Sequence, residues 1–187
     1  MGTHDITLTV NGEEEALTVE SRTLLVHALR EGVGDTAPKV GCESGKCGAC
    51  TVHLDGEAVK SCMVLAAAAD GGEVTTVSGL GGASGEGEGT AELDAVQTAF
   101  HEEHGLQCGY CTPGMVMTVE DLLAERPDPS EAEIRHQLKG NICRCTGYQN
   151  VVRAVETAAD RLSEDPEAEL GADAADADGG TASEVSD

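Results

Sequence analysis

The chain has 187 residues, of which 35 are acidic and 11 are basic, and its formal net charge at neutral pH is −24. A charge of this size repels nucleic acid and anionic membrane surfaces, so neither is expected as a partner. The chain holds no tryptophan, one phenylalanine and two tyrosines but eight cysteines. If it forms two domains of about 75 residues each, domains that small are expected to depend on bound metal or disulfides as well as on their cores.

The acidic residues are spread along most of the sequence. Nine of them lie after Leu162, and the remaining 26 still outnumber the 11 basic residues. A negative patch for a basic partner is one interpretation of this excess. Because the acids are distributed along the chain, we favour a halophilic surface, on which salt screens the mutual repulsion.

The first residues and the apolar runs of the sequence indicate where in the cell the protein is expected. The first residues, Met1 to Asp5, lack the basic region and apolar run of an export signal, so we expect a cytoplasmic protein. The longest apolar run, Met63 to Ala69, is far shorter than the roughly 18 to 20 residues that span a bilayer. No membrane-spanning segment is therefore expected.

The first elements of the chain are a hairpin and a helix. Apolar residues alternate with polar ones on both sides of Asn11-Gly12, which predicts a hairpin over residues 5–20. Ser21 is expected to cap a helix whose apolar positions recur every 3.6 residues. We expect that helix to end before Gly32.

Three further strands complete the first predicted domain. A second hairpin turns at Asp55-Gly56, and residues 73–77 are expected to form a last strand. The order strand, strand, helix, strand, strand, strand indicates the α+β class for residues 1–78. The six glycines in residues 79–89 then predict a flexible linker.

Beyond the linker, residues 90–162 are expected to form a second domain, a small four-helix bundle. A helix-capping residue, a first-turn proline or a capping box marks the start of three helices, and a period of 3.6 residues marks the fourth. The residues at the four starts are Thr90, Pro113, Ser130 and Tyr148. Residues 163–187 form an acidic tail, rich in Ala and Gly, that is expected to be disordered.

The first domain carries four cysteines in a diagnostic pattern. Three of them are separated by four and then two residues, the plant-type spacing for a [2Fe-2S] cluster, and a fourth follows further along. These ligands are Cys42, Cys47, Cys50 and Cys62. Glycines among them allow the backbone to wrap the cluster and direct amide groups at its sulfurs.

The second domain repeats the chemistry with different spacing. Its four cysteines are Cys108, Cys111, Cys143 and Cys145. The pairs are expected to precede two helices, whose N-termini would stabilise an anionic [2Fe-2S] cluster. All eight cysteines are thereby assigned.

Other uses of these cysteines remain open from spacing alone. Zinc also binds four thiolates in short pairs, and disulfides would suit an exported chain. A Rieske centre would need histidine ligands. His53 is near Cys50, but its place on a strand predicts an ordinary surface residue.

Three long motifs carry a resemblance to a known family. They run over Lys39–Val52, Gln107–Met115 and Gly140–Tyr148. With these motifs, residues 4 to 162 resemble the iron-sulfur small subunit of the molybdenum hydroxylases, the xanthine dehydrogenase, aldehyde oxidoreductase and aerobic carbon monoxide dehydrogenase family. The resemblance implies a β-grasp, plant-type ferredoxin-like domain followed by the helical [2Fe-2S] domain.

The same resemblance implies a role in a larger enzyme. A large partner subunit would hold a molybdenum-pterin cofactor and a medium partner subunit would hold FAD. This chain would pass electrons from the molybdenum centre through the helical-domain cluster and then the ferredoxin-domain cluster to the flavin. Gln107 and Cys145 match family residues that approach the pterin, Cys145 while also binding iron.

Two other function classes stay open at this stage. A free-standing carrier with two clusters would share the first motif, and a zinc-stapled interaction protein would use the same cysteines. The colour of the protein and the presence of larger partner chains would separate these classes.

Overall fold

The computed structural model describes residues 2–81, 93–164 and 170. The first domain is built on a five-stranded sheet with the order β2-β1-β5-β3-β4. The strands are β1 (Thr3–Val10), β2 (Glu13–Glu20), β3 (Thr51–Leu54), β4 (Glu57–Lys60) and β5 (Glu73–Thr75). Both predicted hairpins are present, and β5 pairs parallel to β1 and antiparallel to β3.

The turns explain the hairpins. Asn11 and Asp55 adopt positive φ angles of 51° and 52°, and the glycine that follows each is also left-handed. This geometry matches the right-handed twist of the flanking strands. One face of the sheet buries Leu8, Val52 and Val74 against a helix, which gives the predicted α+β arrangement.

That helix differs from the prediction at both ends. Segment α1 begins at Leu25 (Leu25–His27) and widens into a π-helical turn over Ala28–Val33. Ser21 does not cap it, because its hydroxyl donates to the Gly2 carbonyl oxygen at 3.0 Å. The helix runs past Gly32 to Val33, and Gly34 caps its end with a φ of 92°, which favours glycine.

Four helices form the second domain, as predicted. They are α2 (Ala95–Glu102), α3 (Thr112–Glu125), α4 (Glu131–Gln137) and α5 (Gln149–Glu164). Pro113 lies in the first turn of α3, and Ser130 with Glu133 forms the predicted capping box. The helices enclose a core around Phe100, Met115 and Val155.

The start of α2 corrects one prediction. Asp94 caps this helix by accepting a hydrogen bond from the Gln97 amide at 2.7 Å, so Thr90 is not the cap. Thr90 and most of the predicted linker lie outside the described residues.

The last helix also ends later than predicted, at Glu164. Leu170, which belongs to the predicted tail, is partly buried against the helical core. The other tail residues beyond Glu164 lie outside the described part of the chain.

The two domains meet across β3 and α3. His53 on β3 is only 3% exposed, and its Nε2 lies 2.8 Å from the Met117 carbonyl oxygen on α3. A ring nitrogen facing a carbonyl must donate, so Nε2 carries the proton. The prediction of a surface histidine is therefore wrong, because the second domain covers this face of the strand.

Across residues 2–81, 93–164 and 170, no helix has both the length and the apolar character that a membrane span requires.

Candidate metal centres

The loop from Gly41 to Cys50 holds three cysteines of the first quartet. It is shaped by positive φ angles at Glu43, Gly45 and Gly48. The Cys42 Sγ accepts hydrogen bonds from the amides of Ser44 and Cys47, both at 3.4 Å. The Ser44 hydroxyl, followed by these amides, lowers the pKa of Cys42 to about 6. The loop thus favours a thiolate, as a metal ligand requires.

The other half of this quartet is buried. Cys50 and Cys62 lie together against Val26, with Leu24 and Val40 packed around them. Burial is the largest cause that raises the pKa of the Cys50 thiol to about 11; the Cys62 amide opposes this rise, and the Cys62 thiol adds to it. A buried thiolate is costly unless a cation lies beside it, so this pair fits bound iron.

The second quartet gathers from two distant segments. Cys111 lies beside Cys143, and Cys108 lies beside Cys145. Burial, with Cys143 next, raises the pKa of Cys111 to about 12. The Cys108 thiol raises the pKa of Cys145.

The backbone holds Cys143 in a different environment. Burial opposes ionisation, but the hydroxyl and amide of Thr146 and the amide of Cys145 donate to its Sγ and lower its pKa overall. The Tyr148 hydroxyl accepts from the Cys143 amide at 2.8 Å and lies 3.0 Å from the Asn141 carbonyl oxygen. These bonds fix the shape of the Cys143–Cys145 loop.

The predicted helix termini are present at this quartet. Cys111 is the N-cap residue of α3, and α5 begins at Gln149, a short distance after Cys145. The partial positive charge of a helix N-terminus stabilises anions. The second quartet is therefore placed where an anionic cluster is favoured.

The structure places thiols in pairs: Cys50 lies with Cys62, Cys111 with Cys143, and Cys108 with Cys145. A [2Fe-2S] cluster takes two thiolates on each of two irons, whereas zinc needs all four around one point. Within residues 2–81, 93–164 and 170, no three His, Cys, Asp or Glu side chains converge on a single ion position. All eight cysteines are free thiols. The geometry therefore fits two binuclear clusters better than zinc or disulfides.

The two residues predicted to approach a pterin lie on one exposed surface. Gln107, Cys108 and Cys145 are all exposed. The structure brings Cys145 against Cys108, the neighbour of Gln107.

Comparisons with known proteins agree with this geometry. Residues 8–76 match the 2Fe-2S iron-sulfur cluster binding domain, and residues 76–156 match the [2Fe-2S] binding domain. The chain is 47% identical to caffeine dehydrogenase subunit gamma from Pseudomonas sp. (strain CBB1), over 84% of this chain and 92% of that one.

The chain belongs to the iron-sulfur small subunits of the molybdenum hydroxylases. Its fold also matches a chain of quinoline 2-oxidoreductase from Pseudomonas putida 86, with a TM-score of 0.79, 42% identity, and coverage of 87% of this chain and 98% of that one. The aldehyde oxidoreductase from Desulfovibrio gigas matches with a TM-score of 0.76 and 39% identity. There the match covers 86% of this chain but only 17% of the other.

Membership of this family fixes the general role. The small subunit is an oxidoreductase component that transfers electrons through [2Fe-2S] clusters. Its relatives are small subunits of molybdenum hydroxylases that have larger partner chains, and the alternative of a free-standing carrier is not favoured.

Sequence reasoning missed the residues that join the two centres. Asn141 lies inside one of the three long motifs, yet its side chain contacts Gly48 in the first domain. His53 of the first domain in turn contacts Met117 in the second. The period-2 pattern of β3 could not reveal this, because it does not show which face another domain covers.

Proposed function

We propose that Cys42, Cys47, Cys50 and Cys62 bind one [2Fe-2S] cluster, and that Cys108, Cys111, Cys143 and Cys145 bind the other. The main observation that supports two neighbouring clusters is the hydrogen bond from the Ile142 amide to the Cys47 carbonyl oxygen, at 2.9 Å. Ile142 precedes Cys143, so this bond joins a ligand segment of one quartet to a ligand of the other.

The exposure of the cysteines supports a direction of transfer. Cys145 and Cys108 are exposed at one end, and Cys42 is exposed at the other, while Cys143 and Cys47 are partly buried between them. We place the molybdenum-pterin partner at the Cys145 end, with Gln107 and Cys145 as its contacts. The exposed Gln107 amide offers donors and an acceptor that suit a pterin ring.

At the opposite end, we place a medium subunit that carries FAD against the loop of Cys42. When bound, the clusters supply one-electron chemistry, while the protein sets their position, burial and hydrogen bonding. The loop amides at Cys42 and the Thr146 hydroxyl at Cys143 are the groups of this chain that tune each site.

Three further assignments belong to this proposal. The domains are assigned to residues 1–78 and 90–162, with a linker at 79–89 and an acidic tail after them. In the structure Leu80 packs into the helical core and α5 continues to Glu164, so the second domain extends into both neighbouring segments. The complex works in the cytoplasm. The surface is adapted to high salt, because the net charge of −24 is distributed along the chain.

Metal analysis of the purified chain tests the ligand assignment. We expect four iron and four acid-labile sulfide per chain, and two distinguishable [2Fe-2S] signals in electron paramagnetic resonance (EPR) spectra after reduction. Stoichiometric zinc, or only two iron, would contradict the proposal. Co-purification with two larger chains would support the assembly, and purification as a single chain would favour a free-standing carrier.

A further inference from the structure

Two glycines bring the cluster-bearing segments into backbone contact. Gly48 lies between Cys47 and Cys50 in the first domain, and Gly114 lies in the first turn of α3 in the second domain. A Cβ on Gly114 would collide with the Gly48 carbonyl oxygen. A Cβ on Gly48 would lie 2.7 Å from the Asn141 Nδ2 atom. No larger residue fits at either position without separating the domains.

A buried side chain fastens this contact. Asn141 is 3% exposed, and its Nδ2 donates to the carbonyl oxygens of Gly114 at 3.0 Å and Gly48 at 3.2 Å. The Thr118 hydroxyl lies 3.1 Å from Asn141 Oδ1 and 2.8 Å from the Gly114 carbonyl oxygen, and its single proton serves one of them at a time. The side-chain amide of Asn141 therefore links the backbones of both domains.

The fastened contact lies beside both metal centres. The residue before Gly48 is Cys47, and two residues after Asn141 comes Cys143. Between them runs the bond from the Ile142 amide to the Cys47 carbonyl oxygen. A change of spacing at Gly48 and Gly114 therefore changes the spacing of the two ligand sets directly.

We propose that Gly48, Gly114 and Asn141, supported by Thr118, form an interdomain clamp that sets the separation of the two clusters. This inference rests on the proposed ligand sets. The four residues are positioning residues, because none of them belongs to the proposed ligand sets. Their buried hydrogen bonds cost free energy to break, which keeps the domains from drifting apart between electron-transfer events.

A pair of glycine variants tests the clamp in the full chain with its clusters. In Gly114→Ala the added methyl group meets backbone, whereas in Gly140→Ala the nearest atom is the Lys60 Nζ at 3.6 Å, on a flexible side chain. Dipolar coupling between two reduced clusters weakens with the cube of their distance. We expect Gly114→Ala to retain both EPR signals with a narrower splitting between them, and Gly140→Ala to keep the native splitting.

Amide hydrogen exchange gives a second measurement that does not depend on enzymatic activity. In Thr118→Val, which keeps the shape of the side chain, and in Asn141→Asp, the Ile142 amide should exchange about tenfold faster or more, because bonds that hold it are lost. Unchanged exchange in both variants, or unchanged splitting in a cluster-loaded Gly114→Ala chain, would overturn the clamp. A native chain without two cluster signals would refute the ligand assignment instead, and the exchange comparison would still decide the clamp.

Discussion

Replacing His53 tests whether the two domains are packed as the structure shows. His53→Ala removes a buried hydrogen bond, worth about 1 kcal/mol, and leaves a cavity where the ring packed, worth about 2 kcal/mol. The unfolding free energy should fall by about 3 kcal/mol, which for a chain of this length is a drop of about 6 to 12 °C in melting temperature.

Two comparison variants separate the contributions at His53. His53→Phe retains the ring and removes the buried Nδ1 atom, which has no hydrogen-bond partner among the described residues, so the loss should be only about 1 kcal/mol. The control, His4→Ala, alters an exposed histidine and should change stability by less than about 0.5 kcal/mol. The assay is thermal unfolding followed by circular dichroism at equal cluster content. If His53→Ala had the same melting temperature as His4→Ala, the buried interdomain contact would be refuted.

Three further predictions follow from the site and the surface. Gln107→Ala should keep both cluster signals but slow substrate-driven cluster reduction in the assembled complex; an unchanged rate would remove Gln107 from the pterin contact. The isolated chain should melt at lower temperature as salt falls from about 1 M to about 0.01 M, where the screening length grows from about 3 to 30 Å; equal melting temperatures would contradict the high-salt surface. Glu43, and then Glu31, raise the pKa of His27 against the effect of burial. The stabilisation that His27 contributes is therefore complete below its unfolded-state pKa and is lost as pH rises through its folded-state pKa. The difference in melting temperature between the native chain and His27→Gln should shrink as pH rises, and a difference that grows would contradict this direction.

Much of the fold could be predicted because local signals and tertiary structure agree. Asn11-Gly12 and Asp55-Gly56 demand the left-handed turn that each hairpin contains. Pro113 needs no amide partner in a first helical turn, and α3 begins there. The cysteine spacing predicts two quartets, and the structure brings Cys50 beside Cys62 and Cys111 beside Cys143 from separate segments.

The errors arose where several residues compete for one role. Ser21 and Thr90 are acceptable helix caps, but Ser21 bonds to Gly2 instead, and Asp94 stands closer to the start of its helix. The burial of His53 depends on the second domain, which no pattern within β3 encodes. Pairing of thiols within each quartet is also a property of the folded loops, so spacing alone left zinc open.

Cys62→Ala in the assembled complex tests the proposed order of electron transfer most directly. Cys62 belongs to the buried pair of the first domain, so its loss should remove that cluster and leave the helical-domain quartet intact. The complex is first screened with aldehydes and aromatic heterocycles to find a substrate, which is then added without oxygen. We predict that the helical-domain EPR signal appears while the flavin stays oxidised. An intact helical-domain cluster that remains oxidised, or a flavin reduced at the native rate, would contradict the order.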